Sequence, residues 1–264
     1  MDAEVLGAAT MAATDWGESE IRGPVHLFRE RLLMRLFRRR LSRGRVLDAG
    51  CGSGSLVMEL LAGGYSVEAV EFSQAFVDMT SAKIAAAGLA ERATVRQGSV
   101  TDLDFPDDAF DGLVCGEVLE HVTPEQGGDE TAVAGFHRVL KPGGICIASV
   151  PLNPRLWDHS DVWAGHVRRY RRAELSELFE RHGLTVEKTA VWGFPLGRAY
   201  HSLLFGPWLK RTTGVDATVR EGRADTRAAG NRALVGLVAL ALRFDLLFSR
   251  LPWGRGIVVC ARNR

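Results

Sequence analysis

A chain of 264 residues is long enough to bury a sizeable core within one domain. Its 33 basic and 32 acidic side chains nearly cancel, so the overall charge gives no reason to expect a nucleic acid or a membrane as partner. The four cysteines form no CxxC pair, which argues against a disulfide scaffold and favours a reducing, cytoplasmic location. The longest apolar run near the C-terminus, residues 233–242, is about half of the ~20 residues that a transmembrane helix needs. We therefore expect a cytoplasmic globular protein without a transmembrane span.

Two segments precede the first strand signal. Residues 1–24 are small and polar without clear periodicity, which predicts a mobile N-terminal segment or a lid. Between Leu27 and Arg43, the residues Phe28, Leu32 and Leu36 fall on one helical stripe and arginines surround it, so this segment is predicted to be an amphipathic helix. Its basic face is either simply solvated or in contact with an anion, an RNA or a membrane surface.

Strand and helix signals alternate along the rest of the chain. Apolar runs predict strands at residues 45–50, 66–73, 93–99, within 109–122, and at 143–151, 185–194 and 254–263. Amphipathic segments predict the intervening helices at residues 53–64, 73–89, 129–140 and 171–184. This alternation predicts an α/β fold, with a doubly wound and mainly parallel seven-stranded sheet.

The last two predicted strands are separated by about 60 residues, which is too long for a structureless loop. We therefore expect a core over residues 25–194, a helical insertion over residues 195–255 that covers a ligand site as a lid, and a last core strand over residues 256–264. Leucines and aromatic residues of the insertion are predicted to form an apolar roof over a hydrophobic ligand or a homodimer interface. The aromatic residues are Phe205, Trp208, Phe244, Phe248 and Trp253.

The stretch "VLDAGCGSG" places three glycines directly after the first strand, which ends at Asp48. In a parallel sheet the first strand-to-helix turn is the usual ligand cradle, and glycines let main-chain amides approach a ligand closely. A dinucleotide fingerprint would require glycine at position 55, where the chain has Ser55. Glu71 ends the second strand, where a carboxylate can accept hydrogen bonds from both hydroxyl groups of a ribose. The pattern therefore predicts a nucleoside ligand without a pyrophosphate.

Four motifs, in this order, resemble the class I S-adenosylmethionine-dependent methyltransferases over most of residues 25–194: "VLDAGCGSG", "VEAVEFS", "GSVTDLDFPDDAFDGLVC" and "VLKPGGICIASVP". The resemblance implies S-adenosylmethionine as cofactor, with Asp48 and the glycine loop at its methionine end. It also implies that Phe72 lies on the adenine face and that the Val100 amide meets a ring nitrogen. The family usually has Asp where Ser99 stands, so either Asp102 substitutes or the adenine is held less firmly. The implied cofactor-binding residues are Asp48, Gly50, Cys51, Gly52, Gly54, Glu71, Phe72, Ser99, Val100 and Cys115.

The segment "GEVLEHV" follows the fourth strand and carries Glu117, Glu120 and His121 at helical spacing. We expect these side chains on one helical face, directed at the place where the methyl group emerges. With His166 they look like the divalent-metal site of two subgroups, the ubiquinone-pathway O-methyltransferases and the small-RNA 2′-O-methyltransferases. Three interpretations stay open: a Mg²⁺, Mn²⁺ or Zn²⁺ site formed by all four, a metal-free catalytic site of Glu117, His121 and His166 with a histidine as base, or a structural role.

The resemblance predicts an enzyme that transfers a methyl group to a hydroxyl or amine of a hydrophobic small molecule. The metal-like residues and two basic segments, the N-terminal helix and "RRYRR" at residues 168–172, leave 2′-O-methylation of an RNA 3′ end as an alternative. By itself, "RRYRR" is typical of a solvated surface. A non-catalytic cofactor-binding partner protein is the third alternative.

Overall fold

The computed structural model describes residues 23–212 and 232–264. Within these ranges, the strands form one seven-stranded sheet in the order β3-β2-β1-β4-β5-β7-β6. The strands are β1 (Arg45–Ala49), β2 (Ser66–Glu71), β3 (Ala93–Gln97), β4 (Phe110–Gly116), β5 (Leu140–Pro151), β6 (Leu184–Trp192) and β7 (Gly256–Asn263). The strands β1 to β5 pair in parallel, whereas β7 runs antiparallel to both β5 and β6. The mainly parallel, doubly wound sheet predicted from the sequence is thus confirmed.

Helices connect the strands and cover the sheet. The α-helices are α1 (Pro24–Arg38), α2 (Ser55–Ala62), α3 (Gln74–Ala86), α4 (Gly128–Val139), α5 (His159–Trp163), α6 (Arg172–Arg181), α7 (Leu196–Tyr200), α8 (Gly206–Thr212) and α9 (Arg232–Ala241). A π-helical turn, His201–Phe205, joins α7 to α8, and a 3₁₀ segment, Leu242–Phe248, continues α9. No helix in the described part of the chain is both long and apolar enough to span a bilayer.

The strand order reverses at β1, which pairs with β2 on one side and β4 on the other. In such sheets, the carboxyl ends of the central strands open a crevice where ligands bind. Two apolar clusters fill the space on the faces of the sheet, one containing Leu113 and Phe136, the other Phe37 and Leu60. The rigid central strands therefore hold the loops that follow β1, β2 and β4 in fixed positions.

Helix α1 packs on this core through the predicted stripe, because Phe28, Leu32 and Leu36 are all buried. The helix ends at Arg38, five residues before the predicted end at Arg43. The chain turns after it, with the amides of residues 40 and 41 both bonded to the Phe37 carbonyl.

The predicted helix containing Glu117, Glu120 and His121 is wrong. Strand β4 ends at Gly116, Glu117 has a left-handed φ of +60°, and only a single 3₁₀ turn, Leu119–His121, follows. The carboxylate and imidazole groups are therefore positioned by a tight turn rather than by a helical face.

The interpretation of "RRYRR" as a solvated surface is also wrong for its central residues. Tyr170 is fully buried, and its hydroxyl donates to Asp129 at 2.8 Å and lies 3.2 Å from the Leu119 carbonyl oxygen. Arg169 is 6% exposed and bonds to Asp161. Because these side chains stabilise the fold, the segment gives little support to an RNA-binding surface.

The predicted insertion contains α7, α8, α9 and the segment Leu242–Phe248. Its remaining residues, 213–231, and nearly all of the predicted N-terminal segment, residues 1–22, lie outside the described residues. The boundaries of the lid and of the N-terminal segment stay predictions.

Candidate active site

The glycine loop after β1 forms a tight turn against the end of β2. The amides of Gly50 and Cys51 both donate to the Val70 carbonyl, at 2.9 and 3.1 Å. A Cβ atom on Gly50 would lie 2.4 Å from a Val118 methyl group, whereas at Gly52 it would meet nothing within 4 Å. The side of Gly52 is thus open for a ligand, and the side of Gly50 is closed by the loop after β4.

Glu71 closes the loop from the end of β2. Its carboxylate accepts hydrogen bonds from the amides of Gly52 and Ser73, at 2.8 and 3.0 Å. It therefore lies where the predicted ribose contact requires, at the edge of the open side of the loop.

Asp48 brings a buried carboxyl group to the floor of the loop. It is fully buried, and neither oxygen has a hydrogen-bond partner among the residues described. Burial, followed by the negative charges of Glu71 and Glu30, raises the pKa of Asp48 to about 8. A bound ammonium group would stabilise the charged form of Asp48, so this end of the crevice suits the ammonium group of an amino acid.

The predicted adenine end is more open. Phe72 is 61% exposed, so its ring presents a free face beside the crevice. The Ser99 hydroxyl bonds to that of Thr101 at 2.7 Å, and Ser99 and Asp102 line the same cleft. Val100 is buried. That Asp102 takes over the adenine contact of the Asp that the family usually has at position 99 stays a prediction.

Both predicted cysteines are buried thiols. Cys51 lies in the glycine loop, and Cys115 lies fully buried in the core next to Leu119. Burial raises the pKa of each thiol, so neither is a reactive thiolate. The side chain of Cys115 offers no accessible surface to a ligand.

Glu120, His121 and His166 come together beside the glycine loop. One potential ligand atom of each lies within 4.8 Å of those of the other two. Glu120 is fully buried, and neither of its oxygens accepts a hydrogen bond from a donor in the described ranges. Burial, followed by the charge of Glu117, raises the pKa of Glu120 well above its usual value. A buried carboxyl group that accepts no hydrogen bond is a suitable ligand for a cation.

The two imidazoles are held in fixed orientations. His121 Nδ1 donates to the Gly165 carbonyl at 3.2 Å, and His166 Nδ1 donates to Asp161 at 2.9 Å. Burial and the neighbouring His166 lower the pKa of His121 to about 4, so its ring is neutral near neutral pH. His166 Nε2 lies 3.9 Å from Glu120, so this nitrogen faces the acid.

Asp161 holds His166 from the N-terminal turn of α5. It is fully buried and also accepts a 2.7 Å hydrogen bond from Arg169. Burial opposes its charge, but the hydrogen bonds from His166 and Arg169 outweigh it and lower the pKa of Asp161. A stable carboxylate on Nδ1 leaves the lone pair of the imidazole on Nε2.

Glu117 lies beside this group but faces helix α1. Its Oε2 atom lies 3.6 Å from Nη1 of Arg29, and both side chains are mostly buried. Its left-handed backbone follows directly from the end of β4. The structure therefore brings three of the four predicted metal ligands into one group and places Glu117 against a cation. Its predicted catalytic and metal-binding roles stay predictions.

Sequence reasoning missed Glu30, Arg29 and Asp161. Glu30 accepts hydrogen bonds from Ser55, in the first turn of α2, and from His26. The helical period identified the buried stripe of α1, but nothing in the sequence showed that the polar residues next to it face the glycine loop. Asp161 carried only a local signal, because Asp158 and Asp161 form a capping box at the start of α5.

Comparisons with known proteins agree with this geometry. The methyltransferase domain family matches residues 47–148. A methyltransferase of Synechocystis that is named as uncharacterized is 33% identical over 157 residues, which cover 56% of this chain and 70% of that protein. A protein of Mycolicibacterium smegmatis, named as a probable S-adenosylmethionine-dependent methyltransferase, is 28% identical over 218 residues, covering 75% of this chain and 81% of the relative.

Proteins with a named substrate class match this chain over a shorter sequence segment or share only its fold. A ubiquinone biosynthesis O-methyltransferase of Alkalilimnicola ehrlichii is 33% identical over 113 residues, so the chain spans only 43% of that relative, using 42% of its own length. The crystal structure of a geranyl diphosphate C-methyltransferase from Streptomyces coelicolor shares the fold, with a TM-score of 0.58 and 16% identity, over 89% of this chain and 78% of that one. The chain belongs to the class I S-adenosylmethionine-dependent methyltransferases, and S-adenosylmethionine is its cofactor.

Proposed function

We propose that the chain transfers the methyl group of S-adenosylmethionine to a hydroxyl group of a hydrophobic small molecule. The observation that carries this proposal is the group Glu120, His121 and His166, which contains an imidazole oriented by Asp161. Glu120 and His121 lie in the turn whose Val118 packs against Gly50 of the glycine loop. A hydroxyl acceptor needs such a group because it must lose a proton, whereas a neutral amine can attack the methyl group directly.

In the proposed reaction, the acceptor oxygen attacks the methyl carbon while the bond from carbon to sulfur breaks. The sulfonium becomes the neutral thioether of S-adenosylhomocysteine, and the hydroxyl proton moves to a base. His166 Nε2 is the proposed base, because Nδ1 already donates to Asp161. Holding the two reactants in line supplies most of the remaining acceleration, about 7–11 kcal/mol in well-oriented systems.

The same side chains also fit a divalent cation. The imidazole nitrogens of His121 and His166 and a Glu120 carboxylate that accepts no hydrogen bond are suitable ligands for Mg²⁺, Mn²⁺ or Zn²⁺. Glu120, His121 and His166 would hold the ion, and a bound ion would lower the pKa of the acceptor hydroxyl. Arg29 stays close to Glu117 in this arrangement and balances its charge.

Aromatic residues near α5 support a hydrophobic acceptor. Trp163, in α5, contacts Phe205 with ring centroids 6.5 Å apart, and Phe205 lies 5.8 Å from Trp208. Phe205 and Trp208 belong to the proposed lid, residues 195–255, whereas Trp163 lies on the helix that also carries Asp161. By its name, one relative is an O-methyltransferase of ubiquinone biosynthesis, which favours a hydroxylated aromatic acceptor with an apolar substituent.

The test is a screen of phenols, catechols and quinols with the purified chain and S-adenosylmethionine. Release of S-adenosylhomocysteine is followed by mass spectrometry, and NMR of the product identifies the methylated atom. We expect an O-methyl product, with turnover reduced at least tenfold in His166→Ala. The control is His159→Ala, because His159 is an exposed histidine at the start of α5.

A chelator separates the two ways of removing the proton. Loss of turnover on chelation, restored by Mn²⁺ or Zn²⁺, indicates the metal form, and unchanged turnover indicates His166 as the base. A methyl group found on carbon or nitrogen, or full turnover in His166→Ala, contradicts the proposal.

A further inference from the structure

Helix α9 and its 3₁₀ continuation carry large apolar side chains on the outside of the protein. Leu237, Leu240, Phe244 and Leu247 are 63%, 52%, 49% and 76% exposed. Their spacing of three and four residues places them on one side of the helix, and we name this set the apolar stripe. The other side of the helix is buried, through Ala239 and Leu242. Four large exposed side chains in one row are unusual for a surface that faces only water.

Arginines border the apolar stripe. Arg31 and Arg35 of α1 lie with Arg243 along a cleft whose floor contains Phe28, and Leu240 of the stripe lines the same cleft. All three arginines are exposed, and none forms an ion pair with an acid of the described ranges. The arginines and the apolar stripe thus share one face.

This face carries no exposed acid on its two elements. Helix α1 contains one acid, Glu30, and residues 232–248 contain one, Asp245. They are only 5% and 1% exposed, and Asp245 accepts hydrogen bonds from the amides of Leu196 and Gly197. The combination of apolar side chains with uncompensated arginines is typical of helices that lie in a lipid interface.

We propose that the apolar stripe and the arginines beside it dock the protein on the surface of an anionic lipid bilayer. The leucines and Phe244 enter the boundary between head groups and acyl chains, while Arg31, Arg35 and Arg243 contact lipid phosphates. A second copy of the chain fits less well. A two-fold interface over this face would bring two arginine-bearing surfaces together, and neither α1 nor residues 232–248 carries an exposed acid to neutralise them.

The test is cosedimentation of the full chain with vesicles. Vesicles of phosphatidylcholine that contain phosphatidylglycerol are compared with vesicles of phosphatidylcholine alone. We expect binding to the anionic vesicles, weaker binding at high salt, and little binding to the neutral ones.

Two variants test the two parts of the face. Leu237→Ser is expected to weaken binding of the protein to the anionic vesicles about tenfold. The double variant Arg31→Gln, Arg35→Gln is expected to weaken it to a similar extent. Val162→Ser is the matched apolar control, because Val162 is 62% exposed and lies on α5, and Arg155→Gln is the basic control. Thermal unfolding and cofactor affinity verify that every variant is folded.

Several results would overturn the proposal. One is the absence of binding to anionic vesicles, and another is binding that Leu237→Ser and the arginine variant leave unchanged. A dimer in sedimentation velocity that Leu237→Ser dissociates, without vesicle binding, would assign the face to a second copy instead. None of these results depends on the proposed hydroxyl acceptor.

Discussion

Replacing Glu71 by alanine should weaken cofactor binding strongly. In the free protein, its carboxylate orders the glycine loop by accepting from the amides of Gly52 and Ser73. With cofactor bound, we expect it to accept from the ribose hydroxyls. A hydrogen bond to a charged group contributes about 1.5–3 kcal/mol. The loss of one such net interaction corresponds to a rise of Kd by about tenfold to a hundredfold.

The assay is isothermal titration calorimetry with S-adenosylmethionine and S-adenosylhomocysteine. Glu71→Gln keeps the shape and one acceptor, so its Kd should lie between those of the wild type and Glu71→Ala. The control is Glu68→Ala, because Glu68 is on the same strand but pairs with Arg45 and Arg96 near the surface. Its Kd should match the wild type.

The reasoning about Glu71 is refuted if Glu71→Ala and the wild type have the same Kd. Thermal unfolding without ligand separates a binding defect from a folding defect. Should Glu71→Ala be unstable, Glu71→Gln provides the same comparison in a better-folded chain.

Three further predictions address the loop floor, the loop turn and the base. Cofactor binding near neutral pH should release a proton, because Asp48 has a pKa of about 8 in the free protein and the cofactor's ammonium group stabilises its charged form. Equal binding enthalpies in buffers of different ionisation enthalpy, or proton release unchanged in Asp48→Asn, would contradict this. Gly64→Ala should lower the free energy of unfolding by about 1–2 kcal/mol, because alanine is strained in a left-handed backbone. Gly50→Ala, at nearly the same φ, should lower it by about 1–3 kcal/mol more, because the new methyl group also displaces Val118. Equal losses in denaturant titrations would argue against the close contact. Asp161→Asn should lower kcat about 10- to 100-fold and leave the KM of the acceptor nearly unchanged, because Asp161 positions His166 without contacting the acceptor; an unchanged kcat and pH profile would speak against this role.

The sheet and its order of elements could be predicted because each strand and helix carries its own local periodicity. The glycine loop was equally accessible, since the spacing of Gly50, Gly52 and Gly54 directly after the first strand is a pattern of neighbouring residues. The buried face of α1 could be predicted in the same way, from the spacing of Phe28, Leu32 and Leu36. These features depend on interactions that are close in sequence.

The composition of the group Glu120, His121 and His166 could be predicted, but its local backbone structure could not. The spacing of Glu117, Glu120 and His121 fits a helix, yet the left-handed backbone at Glu117 ends β4 with a tight turn. This turn lies against Gly50, a contact between residues distant in sequence.

The buried polar networks were even harder to predict from the sequence. Arg169 stands in a run of arginines typical of a surface, but it lies in the interior because Asp161 provides a buried partner. Such pairs depend on the tertiary arrangement of α5 and the segment that follows it. Composition and periodicity therefore could not distinguish Arg169 from its exposed neighbour Arg171.

A crystal structure with bound S-adenosylhomocysteine tests most directly whether the glycine loop and the group Glu120, His121 and His166 form one active site. We predict that the amino acid end lies against Gly52 and Asp48, that the ribose hydroxyls bond to Glu71, and that the sulfur faces His166. A nucleoside bound away from Glu71, or a sulfur directed away from the two histidines, would contradict the assignment.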